Sequence, residues 1–150
     1  MAVADRIERE VVINAPLERV WELVKVPGWW VGEGYDVNGP TRHREGDIEV
    51  LEDPRYGRFP ITTVALDGPR YAAFRWSPDA NPETPTERTS TLVEFRLTEA
   101  DGGTRVQVAE SGFGALPMTE DALQRQYEDN AEGWGIELDY LRRQAEAVSV

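Results

Sequence analysis

The chain has 150 residues, of which 40% are hydrophobic and 29% are charged, so it can bury a core as one domain spanning residues 1–150. The formal net charge of −12 disfavours nucleic acid and anionic membranes as partners. The absence of cysteine excludes disulfides and thiol nucleophiles. No apolar run approaches the ~20 residues of a membrane span, and the N-terminus lacks an apolar signal core, so we expect a cytoplasmic location.

The N-terminal third predicts a strand followed by a short helix. Residues 6–13 alternate and then become apolar, which is typical of a strand. Pro16 is expected to start a helix that ends before Pro27 and Gly28. Its buried face would carry Leu17, Val20, Trp21 and Val24. Because Trp29 and Trp30 are adjacent, we expect one in the core and the other at a groove or in solvent.

The middle of the chain predicts strands linked by hairpins. Expected strands cover residues 47–51, 57–66, 70–76, 89–98 and 104–110, with Asp-, Gly- and Pro-rich turns between them. Hairpin connections indicate an antiparallel sheet. The glycines at 32, 34 and 39 are interpreted as a flexible connection, the segment around His43 as a solvated loop, and residues 77–87, with three prolines, as a mobile loop.

The C-terminal segment predicts one long amphipathic helix from about residue 119 to about residue 147. Apolar side chains recur there at steps of three and four, at Leu123, Tyr127, Ala131, Trp134, Leu138, Leu141, Ala145 and Val148. Thr119 stands at the N-cap position. Gly133 and Gly135 would each cost about 1 kcal/mol relative to Ala. We therefore expect either very close packing at the glycines or an open space beside Trp134.

Several short motifs, in this order along nearly the whole chain, carry a family resemblance. They are residues 14–21 (NAPLERVW), Trp29-Trp30, residues 74–76 (FRW), 103–108 (GTRVQV), 110–113 (ESGF) and 132–134 (EGW), followed by Leu138 and Leu141. Together they resemble the SRPBCC, or START-like, superfamily, in the branch named after the activator of the heat-shock-protein-ninety ATPase. Glu110 departs from the pattern, since many relatives have histidine there.

The resemblance implies an α+β helix-grip fold. In that fold a curved antiparallel sheet wraps around a long C-terminal helix, with short helical segments after the first strand. A cavity opens between sheet and helix where the sheet curls. The superfamily includes binders, transporters and cyclases, so the resemblance specifies the fold and leaves the ligand open.

The sequence offers few residues for catalysis. His43 is the only histidine, and it stands between Arg42 and Arg44 in a charged run. A zinc site would need carboxylates for its other ligands. We expect no metal, no cofactor and no catalytic residue, and we interpret Ser111 as structural.

Glu110 leaves two interpretations open. By alternation it shares a face with Val106 and Val108, which would direct it into the cavity. Because unpaired buried carboxylates are rare, a position in water at the strand end is the favoured interpretation.

The leading functional hypothesis is a protein that binds an apolar or aromatic small molecule in the cavity. The candidate ligand-binding residues are Trp30, Phe59, Phe74, Trp76, Glu110, Phe113, Tyr127, Trp134 and Leu138. One alternative, implied by the resemblance, is a stress-response module that binds a chaperone, which an exposed apolar patch would favour. Another is a cyclase or hydrolase acting on an aromatic substrate, which requires paired acid and base groups. Monomer and homodimer both remain open.

Overall fold

Seven strands, two α-helices and one 3-10 turn form the part of the chain that this computed structural model describes, residues 5–31, 40–79, 81 and 83–147. In chain order they are β1 (Arg6–Ile13), α1 (Leu17–Val24), β2 (Thr41–Glu45), β3 (Ile48–Asp53), β4 (Gly57–Asp67), β5 (Tyr71–Trp76), β6 (Thr91–Ala100), β7 (Gly103–Ser111), the 3-10 turn (Phe113–Ala115) and α2 (Glu120–Glu146).

The strands form one antiparallel sheet in the order β1-β7-β6-β5-β4-β3-β2. Strands that are neighbours in sequence from β2 to β7 are also neighbours in the sheet; all are joined by short turns except β5 and β6, which are linked by residues 77–90. The first strand closes the order by pairing with the last, from Arg6 opposite Ser111 to Ile13 opposite Thr104. The sheet is curved, and α2 packs against it along β1. The predicted α+β helix-grip fold is confirmed.

The core lies between the inner face of the sheet and the two helices. On β6 the alternating residues Thr91, Val93, Phe95 and Leu97 are all buried, as alternation predicts. The helices contribute Leu17, Val20 and Val24 from α1, and Leu123, Trp134, Leu138, Leu141 and Ala145 from α2. Trp21, expected on the buried face of α1, is only partly buried. Pro16 is the N-cap of α1 and lies just before the first helical residue.

The tight β6–β7 hairpin brings β7 close to the end of β1. Asp101 and Gly102 take φ values of 47° and 81°, which suit a two-residue hairpin turn. A Cβ at Gly103 would lie 2.2 Å from the Ile13 carbonyl oxygen. Only glycine fits at this position, because β1 and the hairpin meet there backbone against backbone.

The sequence-based reading of the segment around His43 as a loop is wrong. His43 lies in β2, an edge strand whose residues are almost all exposed. The strand has no apolar face to reveal it. It is held by its backbone pairing with β3 and by ion pairs such as Arg42 with Glu49. Charged side chains are common on edge strands because they discourage pairing with other chains. The glycines at 32, 34 and 39 lie outside the described residues.

The long C-terminal helix is continuous, as predicted. Thr119 caps it by accepting a hydrogen bond from the Ala122 backbone N–H at 3.2 Å. The apolar stripe is confirmed up to Ala145, and Val148 lies outside the described residues. The predicted alternative of close packing at the two glycines is wrong, because a Cβ at Gly133 or Gly135 would meet no atom within 4 Å. Within the described ranges, no helix combines the length and apolar character that a membrane span requires.

We expect Gly135→Ala to raise the free energy of unfolding by about 0.5–1 kcal/mol, because the site is exposed, helical and open. Urea denaturation measures the change. Gly103→Ala is the contrasting control and should destabilise the protein, since its Cβ meets backbone. A loss of stability in Gly135→Ala would contradict an uninterrupted helix.

Candidate functional site

A groove of about 410 Å³ opens beside α2, near the ends of the strands that carry the aromatic residues. Five aromatic side chains line it: Trp30, Tyr56, Phe59, Trp76 and Trp134. They come from the segment after α1, the β3–β4 turn, β4, the last residue of β5 and the middle of α2. Five polar residues complete the wall: Asp79, Gln126, Asp129, Asn130 and Glu137. The remaining lining is small or apolar, including Gly133.

Trp30 lies at the centre of the aromatic cluster. Its ring centroid is 5.7 Å from that of Trp76 and 5.9 Å from that of Trp134. Phe74 and Phe95 lie behind it in the core, each 5.6 Å away. Such tilted and edge-on pairs add about 0.5–1.5 kcal/mol each beyond the area they bury. The packed rings behind the groove give it a rigid aromatic wall.

Beneath two of these tryptophans lies Glu110, which is fully buried. Its Oε1 accepts hydrogen bonds from Trp134 Nε1 at 2.8 Å and Asn130 Nδ2 at 3.0 Å. Its Oε2 accepts from Trp76 Nε1 at 2.8 Å and Thr91 Oγ1 at 2.6 Å, and from the same Asn130 nitrogen at 3.2 Å. Four side chains therefore surround one buried carboxyl group.

Strand register and helix periodicity place these groups together. Trp76 pairs with Thr91 across β5 and β6, and Glu110 pairs with Val93 across β6 and β7. Thr91 is two residues from Val93 and so points to the same face as Glu110. Asn130 and Trp134 are four residues apart on α2 and face the same side. The carboxyl group thus joins three strands to the helix.

Two opposing effects act on the pKa of Glu110. Burial raises the pKa above its ordinary value of 4.5, because a charge loses its hydration in the core. The hydrogen bonds from Thr91, Trp134, Trp76 and Asn130 lower it, and the burial effect is the larger. These four hydrogen-bond partners are all uncharged. An indole N–H can only donate, so the site is shaped for an acceptor.

The interpretation of Glu110 as a strand-end residue in water is wrong. Its donors lie 19 to 34 positions away in the sequence, so no local pattern shows that the carboxylate is satisfied. Alternation correctly placed it on the inward face. The rarity of buried carboxylates applies to those without partners, and this one has four.

The structure brings together only part of the predicted site. Trp30, Phe59, Trp76 and Trp134 line the groove, and Glu110 lies under two of them. The other four candidates lie elsewhere: Phe74 and Leu138 are buried in the core, and Phe113 packs on Tyr127 with 5.3 Å between ring centroids. Tyr127 Oη also donates to the Arg6 carbonyl oxygen, at 2.9 Å.

Several residues of the site were not singled out from the sequence. Asp79 lies in the proline-rich segment after β5, where no periodicity exists. Asp129, Asn130 and Glu137 lie off the predicted apolar stripe of α2. Glu137 is nevertheless only 8% exposed. The four-residue step from Asn130 to Trp134 was the available signal, since it places a polar group beside a buried aromatic ring.

Comparison with solved structures identifies the class of this fold. A protein of Mesorhizobium loti superposes with a TM-score of 0.70 at 16% identity, over 97% of this chain and 99% of that chain. The Aha1 dimer protein of Colwellia psychrerythraea gives 0.67 at 14% identity, covering 95% and 97%. A Bacillus halodurans protein gives 0.64 at 25% identity, covering 95% and 98%. The protein thus shares the helix-grip fold of the SRPBCC superfamily.

The sequence itself gives the family. The profile of the family described as "Activator of Hsp90 ATPase homolog 1-like protein" matches residues 14–146, and the chain belongs to that family. No curated protein matches the sequence significantly.

The raised pKa of Glu110 predicts a specific pH dependence of stability. A folded-state pKa above the unfolded one means that the folded state binds the proton more tightly. The contribution of Glu110 to the free energy of unfolding should therefore fall as pH rises through 4.5, and level off above the folded pKa. Subtracting the stability of Glu110→Gln at each pH isolates this contribution. Other carboxyls act oppositely, such as Glu45, whose pKa Arg58 and His43 hold at about 2.

Denaturant melts between pH 3 and pH 9 measure both curves. Glu99→Gln is a suitable control, because Glu99 is exposed on β6 and the substitution removes the same charge as Glu110→Gln does. Parallel curves for the parent and Glu110→Gln would contradict a raised pKa.

The hydrogen bond from Trp134 can be tested separately from its ring. Trp134→Phe keeps an aromatic ring and removes the N–H donor. Its free energy of unfolding should therefore fall by the packing lost with the smaller ring, and by a further ~1–3 kcal/mol because the buried carboxylate loses a hydrogen bond. Trp30→Phe is the matched control, since Trp30 is equally buried and its N–H has no acceptor among the described residues. Equal losses in chemical denaturation would show that the Trp134 hydrogen bond contributes nothing.

Proposed function

We propose that the groove binds one small molecule with an apolar or aromatic body. The observation that carries this proposal is an open space of about 410 Å³ walled by five aromatic side chains. This volume falls within the range of small-molecule sites, about 300–1,000 Å³, and such sites combine apolar walls with a few fixed polar groups. A core that served only stability would fill such a space with its own side chains.

Two polar atoms in the wall support the same proposal. The Nε1–H of Trp30 and the Oδ1 of Asp79 are buried, and neither has a hydrogen-bond partner among the described residues. Buried polar atoms in native proteins are normally satisfied, by protein, water or ligand. A bound molecule with one acceptor and one donor would satisfy both.

The binding mechanism is desolvation of an apolar body followed by polar orientation. An aromatic group that leaves water removes about 150–250 Å² of surface, and each Å² is worth about 25 cal/mol. The resulting ~4–6 kcal/mol is partly offset by lost translational freedom. The rigid wall avoids the further cost of ordering side chains on binding, because Trp76 and Trp134 are already fixed by their hydrogen bonds to Glu110.

The two alternatives have less structural support. A chaperone-binding module is suggested by the description of the family, and no groove residue argues for it. An enzyme acting on an aromatic substrate would need an acid and a base facing that substrate. Glu110 has both carboxyl oxygens engaged by protein donors, so it is unsuited to exchange protons with a substrate as it stands.

The groove can be closed by a side chain at position 133. Gly133 lines the groove and Gly135 is on the exposed face two residues later, and neither has an atom within 4 Å of an added Cβ. Gly133→Leu should fill the groove and weaken binding at least tenfold, whereas Gly135→Leu should leave the affinity unchanged. Both should stabilise the helix, since Leu is a better helix former than Gly.

Titration with the neutral fluorescent probe N-phenyl-1-naphthylamine measures the affinity. We expect saturable binding to one site in the parent and in Gly135→Leu. The absence of saturable binding in the parent, or equal binding by both variants, would reject this groove as the ligand site.

A further inference from the structure

The charged residues in the groove wall are all acidic. Asp79 follows β5, while Asp129 and Glu137 lie two turns apart on α2. No lysine or arginine belongs to the described lining of the groove. The arginines on the β3–β4 side have acidic partners: Arg55 pairs with Asp53, and Arg58 with Glu45. The electrostatic potential inside the groove is therefore negative.

The aromatic wall strengthens the same preference. The face of an indole ring carries negative charge density and attracts cations, more strongly than the face of phenylalanine does. Trp76 and Trp134 both donate their N–H groups to the Glu110 carboxyl group. Donation of an N–H to a carboxyl oxygen polarises the indole and shifts electron density onto its ring. Glu110 thus makes both rings better partners for a positive charge, although it has no free oxygen of its own.

Two buried polar atoms are a second feature of the groove wall. Trp30 is 4% exposed, and its N–H lacks an acceptor within the described part of the chain. Asp79 Oδ1 lacks a donor there. A carboxylate oxygen that is buried without a donor is costly, and a charged donor is its strongest partner. Asp79 Oδ1 therefore favours a ligand that carries a cationic N–H donor, and the Trp30 N–H favours an acceptor on the same ligand.

Resting on the binding function proposed above, we propose that the groove selects molecules in which an aromatic or apolar body carries an organic cation, such as an ammonium group. The body packs against Trp30 and Phe59. The cation lies over the indole rings that donate to Glu110 and beside the carboxylates of Asp79 and Asp129. The chemical class is an arylalkylamine or another amine with an apolar body.

Three naphthalene derivatives that share one ring system separate charge from shape. They are 1-naphthylmethylamine, a cation at neutral pH, 1-naphthalenemethanol, which is neutral, and 1-naphthoate, an anion. Calorimetric titration at pH 7 should give an affinity for the amine at least tenfold above that for the alcohol. The acid should bind more weakly than the alcohol. Added salt should lower the affinity for the amine and leave the affinity for the alcohol unchanged.

Two variants with the same change in net charge locate the effect. Asp129→Asn removes a carboxylate from the groove. Glu128→Gln removes the neighbouring carboxylate, which is exposed, accepts a hydrogen bond from Gln124 and does not line the groove. Asp129→Asn should lower the amine affinity about threefold to tenfold, and its effect on the alcohol affinity should be smaller than its effect on the amine affinity. Glu128→Gln should change neither affinity. Circular dichroism checks that both variants fold.

Each result has one meaning. Equal affinities for amine and alcohol would overturn the cation preference and leave the proposed binding function intact. Equal weakening of the amine in both variants would also overturn it, because the attraction would then come from the net charge of −12 alone. If neither the amine nor the alcohol binds, the proposed function itself fails and the cation preference falls with it.

Discussion

The buried carboxyl group of Glu110 sets a condition that the surrounding structure has to meet. An isolated carboxylate in an apolar core loses several kcal/mol of hydration, and only well-placed donors restore it. Here the donors are two indoles, one amide and one hydroxyl, from β5, β6 and α2. A shift of α2 by one turn would leave the group without half of them, and a shift of β6 by two residues would remove the Thr91 hydroxyl. Glu110 therefore fixes how the helix lies on the sheet more sharply than apolar contacts do.

The same condition explains why a groove persists beside a well-packed core. Trp76 and Trp134 are held with their N–H groups toward Glu110, so their rings cannot rotate to fill the space next to them. Gly133 adds no side chain to that space. The core behind, with Phe74 and Phe95 packed on Trp30, is dense and supports the wall. Stability is thus concentrated in the packed core behind the groove, and the groove itself stays open.

Local patterns in the sequence were sufficient for the main elements and insufficient for the site. The β1 strand, the inward face of β6 and the full length of α2 follow from periodicities of 2 and 3.6 residues, because one face of each element packs on the core. The sequence pattern did not predict the β2 strand, because an exposed edge strand has no buried face. Four of the five aromatic residues of the groove were among the predicted ligand-binding residues, and Tyr56 was not. The polar residues of the groove lining were not among them either, because they meet only through long-range register.

Glu110 shows why that limit is physical. Its alternation with Val106 and Val108 placed it inward, and the general rarity of buried charge argued against that position. The outcome depended on four side chains whose positions are set by the pairing of β5 with β6 and of β6 with β7, and by the packing of α2. No pairwise pattern in the sequence contains that information. A carboxylate flanked by tryptophans on neighbouring elements of a helix-grip fold is therefore a reason to search for shared donors before assigning it to solvent.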